Sequence, residues 1–276
     1  MRLPENHSGA RSDSHLVELW LCGRPEETQK TYRRDAQSFL DSLPKSLPET
    51  TVADVIAWVK TLKGSEGYKG RRVIAVKSLL SFAEKTGYCV FNVGMALRTP
   101  KRRQTLHERI VERDTVQGMI AASEEGRDRI LVKFLYASAC RVSEVVRLNW
   151  NDLGCGVVAL HGKGKSRTVP VPETILVDVR QLRWSQDNDN APIFKSFRGR
   201  RLGVRDVQRI VKKAREGVTV KQVSPHWMRH AHATHSLDKG APIHKLQRQL
   251  GHENVSTTSV YLHVRGGEGT SEYLDL

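Results

Sequence analysis

Between Leu97 and Gln104 the chain reads Leu-Arg-Thr-Pro-Lys-Arg-Arg-Gln, a strongly basic stretch with no apolar period. A segment without an apolar face cannot be buried in a core, so the patterned regions on either side must each build their own. At 276 residues the chain is long enough for two such units. The expected division is a polar, frayed and disordered 1–13, a helical domain over 14–97, a basic linker over 98–105, and a larger domain over 106–276.

The first unit reads as all-helical. Leu16, Val17, Leu19 and Trp20 predict a short helix over His15 to Cys22, stopped near Gly23 and Pro25. Tyr32, Ala36, Phe39, Leu40 and Leu43 share one face of a helix from Thr28 to Leu43. Thr51 to Leu62 and Tyr68 to Lys85 continue the pattern, with Gly87 placed as a C-cap. The second unit is mixed. Helices are expected over Glu112 to Ser123, Asp128 to Ser138 and Val142 to Leu148. Gly156 to His161 and Arg167 to Val171 flank a turn from Gly162 to Ser166 and predict a β-hairpin. Further helices follow over Val204 to Arg215, His226 to Lys239, Ile243 to Leu250 and Thr257 to Val264. The fold class is therefore mainly α, a small helical domain followed by an α+β domain with a small antiparallel sheet.

Lys and Arg outnumber Asp and Glu by 45 to 30, for a formal charge of +15 and a pI near 9.9. Such a balance favours a polyanionic partner, double-stranded DNA foremost, because phosphate contacts release counterions. The charge is also clustered: Lys195 to Glu216 holds nine basic residues, against only Asp206 and Glu216. Lys101, Arg102, Arg103, Lys165, Arg167, Arg205, Arg209 and Lys212 are the candidate DNA contacts. Cys22, Cys89, Cys140 and Cys155 are far apart, without a C-x-x-C pair, which excludes a zinc ribbon and a disulfide framework. The N-terminus is no secretory signal. No apolar run reaches the roughly 18 residues of a membrane span. A reduced, soluble, cytoplasmic protein is expected.

The chemistry concentrates near the C-terminal end. His226 and Arg229 stand at i, i+3, Leu250-Gly251-His252 follows 23 residues after that arginine, and Tyr261 comes nine residues later. Upstream lie Arg141 and the lysines of His161-Gly162-Lys163-Gly164-Lys165. Moving a phosphodiester needs a nucleophile, charge on the nonbridging oxygens and an acid for the leaving alkoxide. A planar guanidinium binds two phosphate oxygens at once, and the i, i+3 spacing lets His226 and Arg229 address one phosphate. His252 is expected at a helix start, where backbone N–H groups face outward. A phenol that attacks conserves the bond energy in a phosphotyrosine, so neither ATP nor any other cofactor is required. Singly each element is weak: Arg141 alone reads as an arginine paired with Glu144, and a lone tyrosine as packing. The histidines His226, His230, His232 and His235 lack the glutamate of an H-E-x-x-H motif, so no metal site is assigned.

Taken in order, these residues resemble the tyrosine recombinases of the phage integrase and Xer class. Leu135-Tyr136-Ala137-Ser138-Ala139-Cys140-Arg141-Val142-Ser143-Glu144 is similar to the family's first arginine box, and Leu148-Asn149-Trp150-Asn151-Asp152-Leu153 to the stretch after it. Pro225-His226-Trp227-Met228-Arg229-His230, Ala233-Thr234-His235 and Leu250-Gly251-His252 through Ser256-Thr257-Thr258 to Tyr261 match the second box. The resemblance implies that Arg141 and Arg229 bind phosphate, His226 assists proton transfer, His252 contacts phosphate and Tyr261 attacks. It also implies a lysine on the hairpin turn as general acid, with Lys163 and Lys165 both open. His230 and His235 would be structural and His232 solvent-facing. The 14–97 unit would be a core-binding domain, and four protomers would assemble on an inverted-repeat core site.

Three departures stand out. Ser138-Ala139-Cys140 replaces the usual glycine before the first arginine box, Asn92-Val93 replaces Asn-Pro, and Gly266, Gly267 and Gly269 interrupt the tail. Tyr273-Leu274-Asp275-Leu276 is expected to dock on a neighbouring basic surface. Two other classes fit the same residues: a DNA-binding architectural or regulatory protein, and a relaxing enzyme like type IB topoisomerases.

Overall fold

The computed structural model describes residues 6–99, 110–162, 164–218, 223–252, 254, 256–259 and 261. The chain divides into two compact units, Met1–Arg103 and Gln104–Leu276.

The first unit is a helical bundle of α1 (Asp13–Leu21), α2 (Glu26–Leu40), α3 (Val52–Thr61) and α4 (Glu66–Lys85). Local chemistry sets their starts. Ser12 and Ser65 accept backbone N–H groups at the heads of α1 and α4, and Thr51 with Asp54 forms a capping box on α3. Gly87, just past α4, sits at φ +72, as a C-terminal glycine should. Leu16, Phe39, Val55, Val73 and Leu79 are fully buried in the shared core. Asp35 is buried with them, neutralised by Arg71 and Arg72 of α4. Residues 6–12 depart from the frayed N-terminus expected over 1–13. The His7 N–H donates to Thr86 O at 2.9 Å and Ala10 is buried, because a backbone anchor and an apolar contact tie the segment down.

The second unit is mostly helical around one hairpin. Its elements are α5 (Arg113–Ala122), α6 (Arg127–Ser138), α7 (Val142–Val145), β1 (Val157–His161), β2 (Ser166–Pro170), α8 (Glu173–Arg180), α9 (Val204–Glu216), α10 (Pro225–Asp238), α11 (Ile243–Leu250) and α12 (Ser256–Ser259). Helix α6 is the hub, burying Leu131, Val132, Phe134 and Leu135. Each such side chain contributes about 1.5–3 kcal/mol through apolar area removed from water. The strands are antiparallel, with Val158 opposite Val169 and His161 opposite Ser166. Val158, Leu160 and Val169 point inward and are fully buried, the alternation a half-covered sheet requires. Helix α9 buries Val207, Ile210, Val211 and Ala214 and leaves Arg205, Arg209 and Lys212 exposed.

Helix α8 was not anticipated, and the helix expected through Leu148 stops at Val145. The tyrosine also sits differently from expectation. Helix α12 ends at Ser259, and Tyr261 occupies a turn after it, its N–H bonded to Thr258 O at 3.0 Å. Among the described residues no helix is long and apolar enough to cross a membrane.

Candidate active site

A buried carboxylate organises one half of the site. Glu144, on the short α7, is 1% exposed at its side chain. Its Oε2 accepts the Arg141 backbone N–H at 2.7 Å and its Oε1 the Arg141 Nη1 at 3.0 Å. From β2, Arg167 donates Nη1 to Oε1 at 2.5 Å and Nη2 to Oε2 at 2.9 Å. Burial pushes the Glu144 carboxyl up, but the hydrogen bonds from Arg167 and Arg141 outweigh it and hold it below the usual range. One carboxylate thus fixes two guanidinium groups from separate elements, and the Arg141 side chain remains 40% exposed. Arg167 was grouped with the surface DNA contacts. The structure turns it inward, because Glu144 and the Gln249 carbonyl, at 3.1 Å from Nε, satisfy its fork.

Arg229 organises the other half. It is 3% exposed. Its Nη1 donates to Ala139 O at 2.6 Å, its Nη2 to Leu250 O, and Nη2 also meets His252 Nε2 at 3.2 Å. These carbonyls close α6 and α11, where the C-terminal end of each helix carries partial negative charge. Both helices stop on a left-handed residue, Ala139 at φ 52 and Gly251 at φ 61. The glycine is needed for space as well. A Cβ at Gly251 would stand 2.7 Å from Arg167 Cδ. Burial, then the charges of Arg141 and Arg167, push the Arg229 guanidinium down to about 10, so it stays charged at neutral pH.

His252 follows the end of α11 rather than opening a helix, because Gly251 terminates α11 and α12 begins only at Ser256. Its Nδ1 lies 3.0 Å from Thr258 Oγ1, and burial with the neighbouring Arg229, Arg141 and Arg167 pushes it down to about 4. It is neutral at physiological pH. With Nε2 accepting from Arg229, the proton sits on Nδ1 and is donated to Thr258.

Tyr261 is 4% exposed and packs with Ala139, Ala233, Leu237, Leu246 and Leu250. Burial raises its phenol above the usual value, and the charge of Arg229 opposes that rise. Its hydroxyl lies 2.6 Å from His230 Nδ1. His226, exposed at the head of α10, packs its ring 5.3 Å from that of His230. His232 is not solvent-facing: its Nδ1 sits 2.8 Å from Tyr136 O, and burial pushes it down to about 4. His235 Nδ1 pairs with the Tyr136 hydroxyl at 2.9 Å.

Arg141, Lys165, Arg167, Arg248 and His252 line a cleft of about 690 Å³ with Glu144 in its wall. A second cleft of equal volume, bordered by Arg113, Lys133 and Lys245, contains none of the five candidate catalytic residues among the described residues. Lys163, Lys101, Arg102, Arg103 and the tail after Tyr261 lie outside the described residues. The Gly162 N–H donates to the Lys165 carbonyl at 2.8 Å. Sequence reasoning missed Glu144 as a shared anchor, Arg167 as its second partner and His230 as the neighbour of the phenol. The available signals were the i, i+3 spacing of Glu144 from Arg141 and the i, i+4 spacing of His230 from His226.

An arginine box, a second box with its arginine buried, and a buried tyrosine make up this candidate site, and comparison with known proteins gives the class of the chain. Residues 109–267 match the phage integrase family. Tyrosine recombinase XerC of Mycobacterium tuberculosis is 33% identical over 269 residues, covering 88% of this chain and 90% of that protein. A lambda integrase dimer bound to a COC' core site has a similar fold, with 18% identity, 93% of this chain and 95% of that one covered, and a TM-score of 0.77. A lambda integrase tetramer bound to a Holliday junction, 16% identical, covers 87% of this chain and 77% of its own with a TM-score of 0.73. The chain belongs to the phage integrase family. It is a tyrosine recombinase, an enzyme that breaks and rejoins DNA.

Proposed function

We propose that this site-specific recombinase cuts each DNA strand by attack of Tyr261, leaving a 3′-phosphotyrosyl link and a free 5′ hydroxyl. Arg141 and Arg229 bind the nonbridging oxygens, His252 contacts the same phosphate, and His226 assists proton transfer. Lys163 on the hairpin turn protonates the leaving 5′ oxygen, with Lys165 as the second choice. The observation that carries this reading is the anchoring of Arg229. Its guanidinium ties together the end of α6, two residues before Arg141, the end of α11 and His252. Positions far apart in the chain thereby surround one anion site before any ligand arrives. An entering phosphate would offset the positive charges of Arg229, Arg141 and Arg167 around His252, which burial foremost holds neutral.

The partner is double-stranded DNA bearing an inverted-repeat core site of about 10 bp per half-site. Four protomers would assemble on two such duplexes, in keeping with the lambda integrase tetramer on a Holliday junction. A cytoplasmic setting, where that DNA is found, belongs to the same reading. The test is incubation with a nicked half-site substrate in EDTA and without ATP. A covalent protein–DNA adduct is expected from the wild type and none from Tyr261→Phe. Strict metal dependence, or an adduct with Tyr261→Phe, would overturn the assignment. Relaxation of a plasmid lacking any core site would instead favour a topoisomerase-like enzyme.

A further inference from the structure

A phenol is a poor nucleophile until its proton leaves, and Tyr261 is badly placed to lose it to water. It is 4% exposed and packs with the apolar Ala139, Ala233, Leu237, Leu246 and Leu250. Something within the fold has to take the proton. Arginine cannot, because it is already protonated. His252 is occupied on both nitrogens, by Thr258 on Nδ1 and Arg229 on Nε2. His226, the histidine of the His-x-x-Arg box, packs against the ring of His230. The nitrogen that meets the phenol is His230 Nδ1, at 2.6 Å from Tyr261 Oη, with the ring centroids 5.6 Å apart.

Resting on the reading that Tyr261 is the nucleophile, we propose that His230 is the catalytic base that receives its proton. Helix α10 makes this possible. The residue after Arg229 is turned to another face of the helix, so one element presents a cation and a base side by side. His226 stands one turn before His230 on the same face, exposed. It offers the next position for a proton that moves onward to solvent.

The step balances without any further reagent. The Tyr261 proton passes to neutral His230 at Nδ1 as the phenolic oxygen bonds to phosphorus. The bond from phosphorus to the 5′ oxygen breaks, its electron pair leaves on that oxygen, and the hairpin lysine protonates it. On rejoining, the 5′ hydroxyl returns its proton to the hairpin lysine as its oxygen attacks phosphorus, the bond to Tyr261 breaks, and the phenolate recovers its proton from the His230 imidazolium. The base of the forward step is the acid of the return.

The experiment measures adduct formation on a nicked half-site with the full chain. His230→Ala should slow cleavage by about 10²- to 10⁴-fold, the range of one general base. Half-site affinity should change less than about threefold, since the base acts in the transition state. His230→Gln keeps a polar partner for the hydroxyl but cannot take up a proton. It should show the same defect, and it decides the matter if His230→Ala fails to fold. Replacing Tyr261 by 3,5-difluorotyrosine, whose phenol ionises near neutral pH, should restore most of the lost rate in either variant. Cleavage by His230→Gln near the wild-type rate would overturn the proposal. So would a slow variant that difluorotyrosine does not rescue, because the histidine would then only support the packing. An adduct formed by Tyr261→Phe would instead remove the underlying reading, so the two failures are distinguishable.

Discussion

Arg141 and Arg229 belong to one candidate site, and the fold mounts them by different means. Arg141 is tethered to a carboxylate that it shares with Arg167, and 40% of its side chain stays exposed. Arg229 is buried on the carbonyls of Ala139 and Leu250, at the ends of two helices. A carboxylate anchor fixes geometry but cancels charge: two guanidinium groups around Glu144 leave one net positive charge. Carbonyl dipoles fix geometry and cancel nothing. Arg229 therefore keeps its whole charge in a low-dielectric setting, where attraction to a phosphate is strongest. The cost appears as the fall of its pKa to about 10.

The sharpest way to break this comparison is to truncate each arginine. Arg229→Ala should abolish cleavage and also unfold more easily, by about 2–4 kcal/mol, since it leaves a cavity and two buried carbonyls without donors. Arg141→Ala should cut cleavage by about 10²- to 10³-fold. Its stability should stay within about 1 kcal/mol of wild type, because Glu144 keeps the Arg141 backbone N–H and both donors of Arg167. Thermal unfolding and single-turnover cleavage separate the two. Equal destabilisation would mean that the mounts are equivalent.

Gly251→Ala should cost about 1–2 kcal/mol from the left-handed backbone alone. It should also slow cleavage, because the new Cβ would push Arg167 away from Glu144. A variant with unchanged kinetics would show that the Arg167 contact is dispensable.

Acid offers a gentler probe. His252 and His232 both have folded-state values near 4, against 6.5 for the free side chain. The unfolded chain therefore binds more protons than the folded one between those values, and stability falls as pH drops from about 6.5 toward 4. Glu144, held low, adds loss in the same direction at more acid pH. Melting curves from pH 8 to 5 should show this decline, and His232→Asn should flatten it. A flat profile for the wild type would contradict the burial of both rings.

Ala139→Gly should be nearly neutral, within about 1 kcal/mol. Relief of the left-handed strain is offset by a lost buried methyl and a more flexible unfolded chain. A large loss would show that the methyl, packed beside Tyr261, matters more than the backbone.

These contrasts also mark what could be read from the sequence. Arg141, His226, Arg229, His252 and Tyr261 stood out as candidates because their order and spacing form a chemical set, and the helices around them were legible because their apolar faces repeat locally. Glu144 was visible only as a neighbour of Arg141, since its link to Arg167 joins two elements and no local pattern encodes that. The contact of His230 with Tyr261 was not visible, because a single chain does not show which of several histidines on one helix meets a distant phenol. Helix α8 was missed because Glu173–Arg180 is short and follows the hairpin directly. His252 was misplaced at a helix start because glycine reads equally well as an opening or a stop, and its positive φ decides for the stop.

The central claim is that Tyr261, held in this arginine-rich site, is the residue that becomes joined to DNA. Digestion of the trapped adduct and mass spectrometry of the DNA-linked peptide test it most directly. The peptide should contain Tyr261, bonded through its oxygen to the 3′ phosphate, with a free 5′ hydroxyl on the released strand. A link at any other residue, or to a 5′ phosphate, would contradict the account.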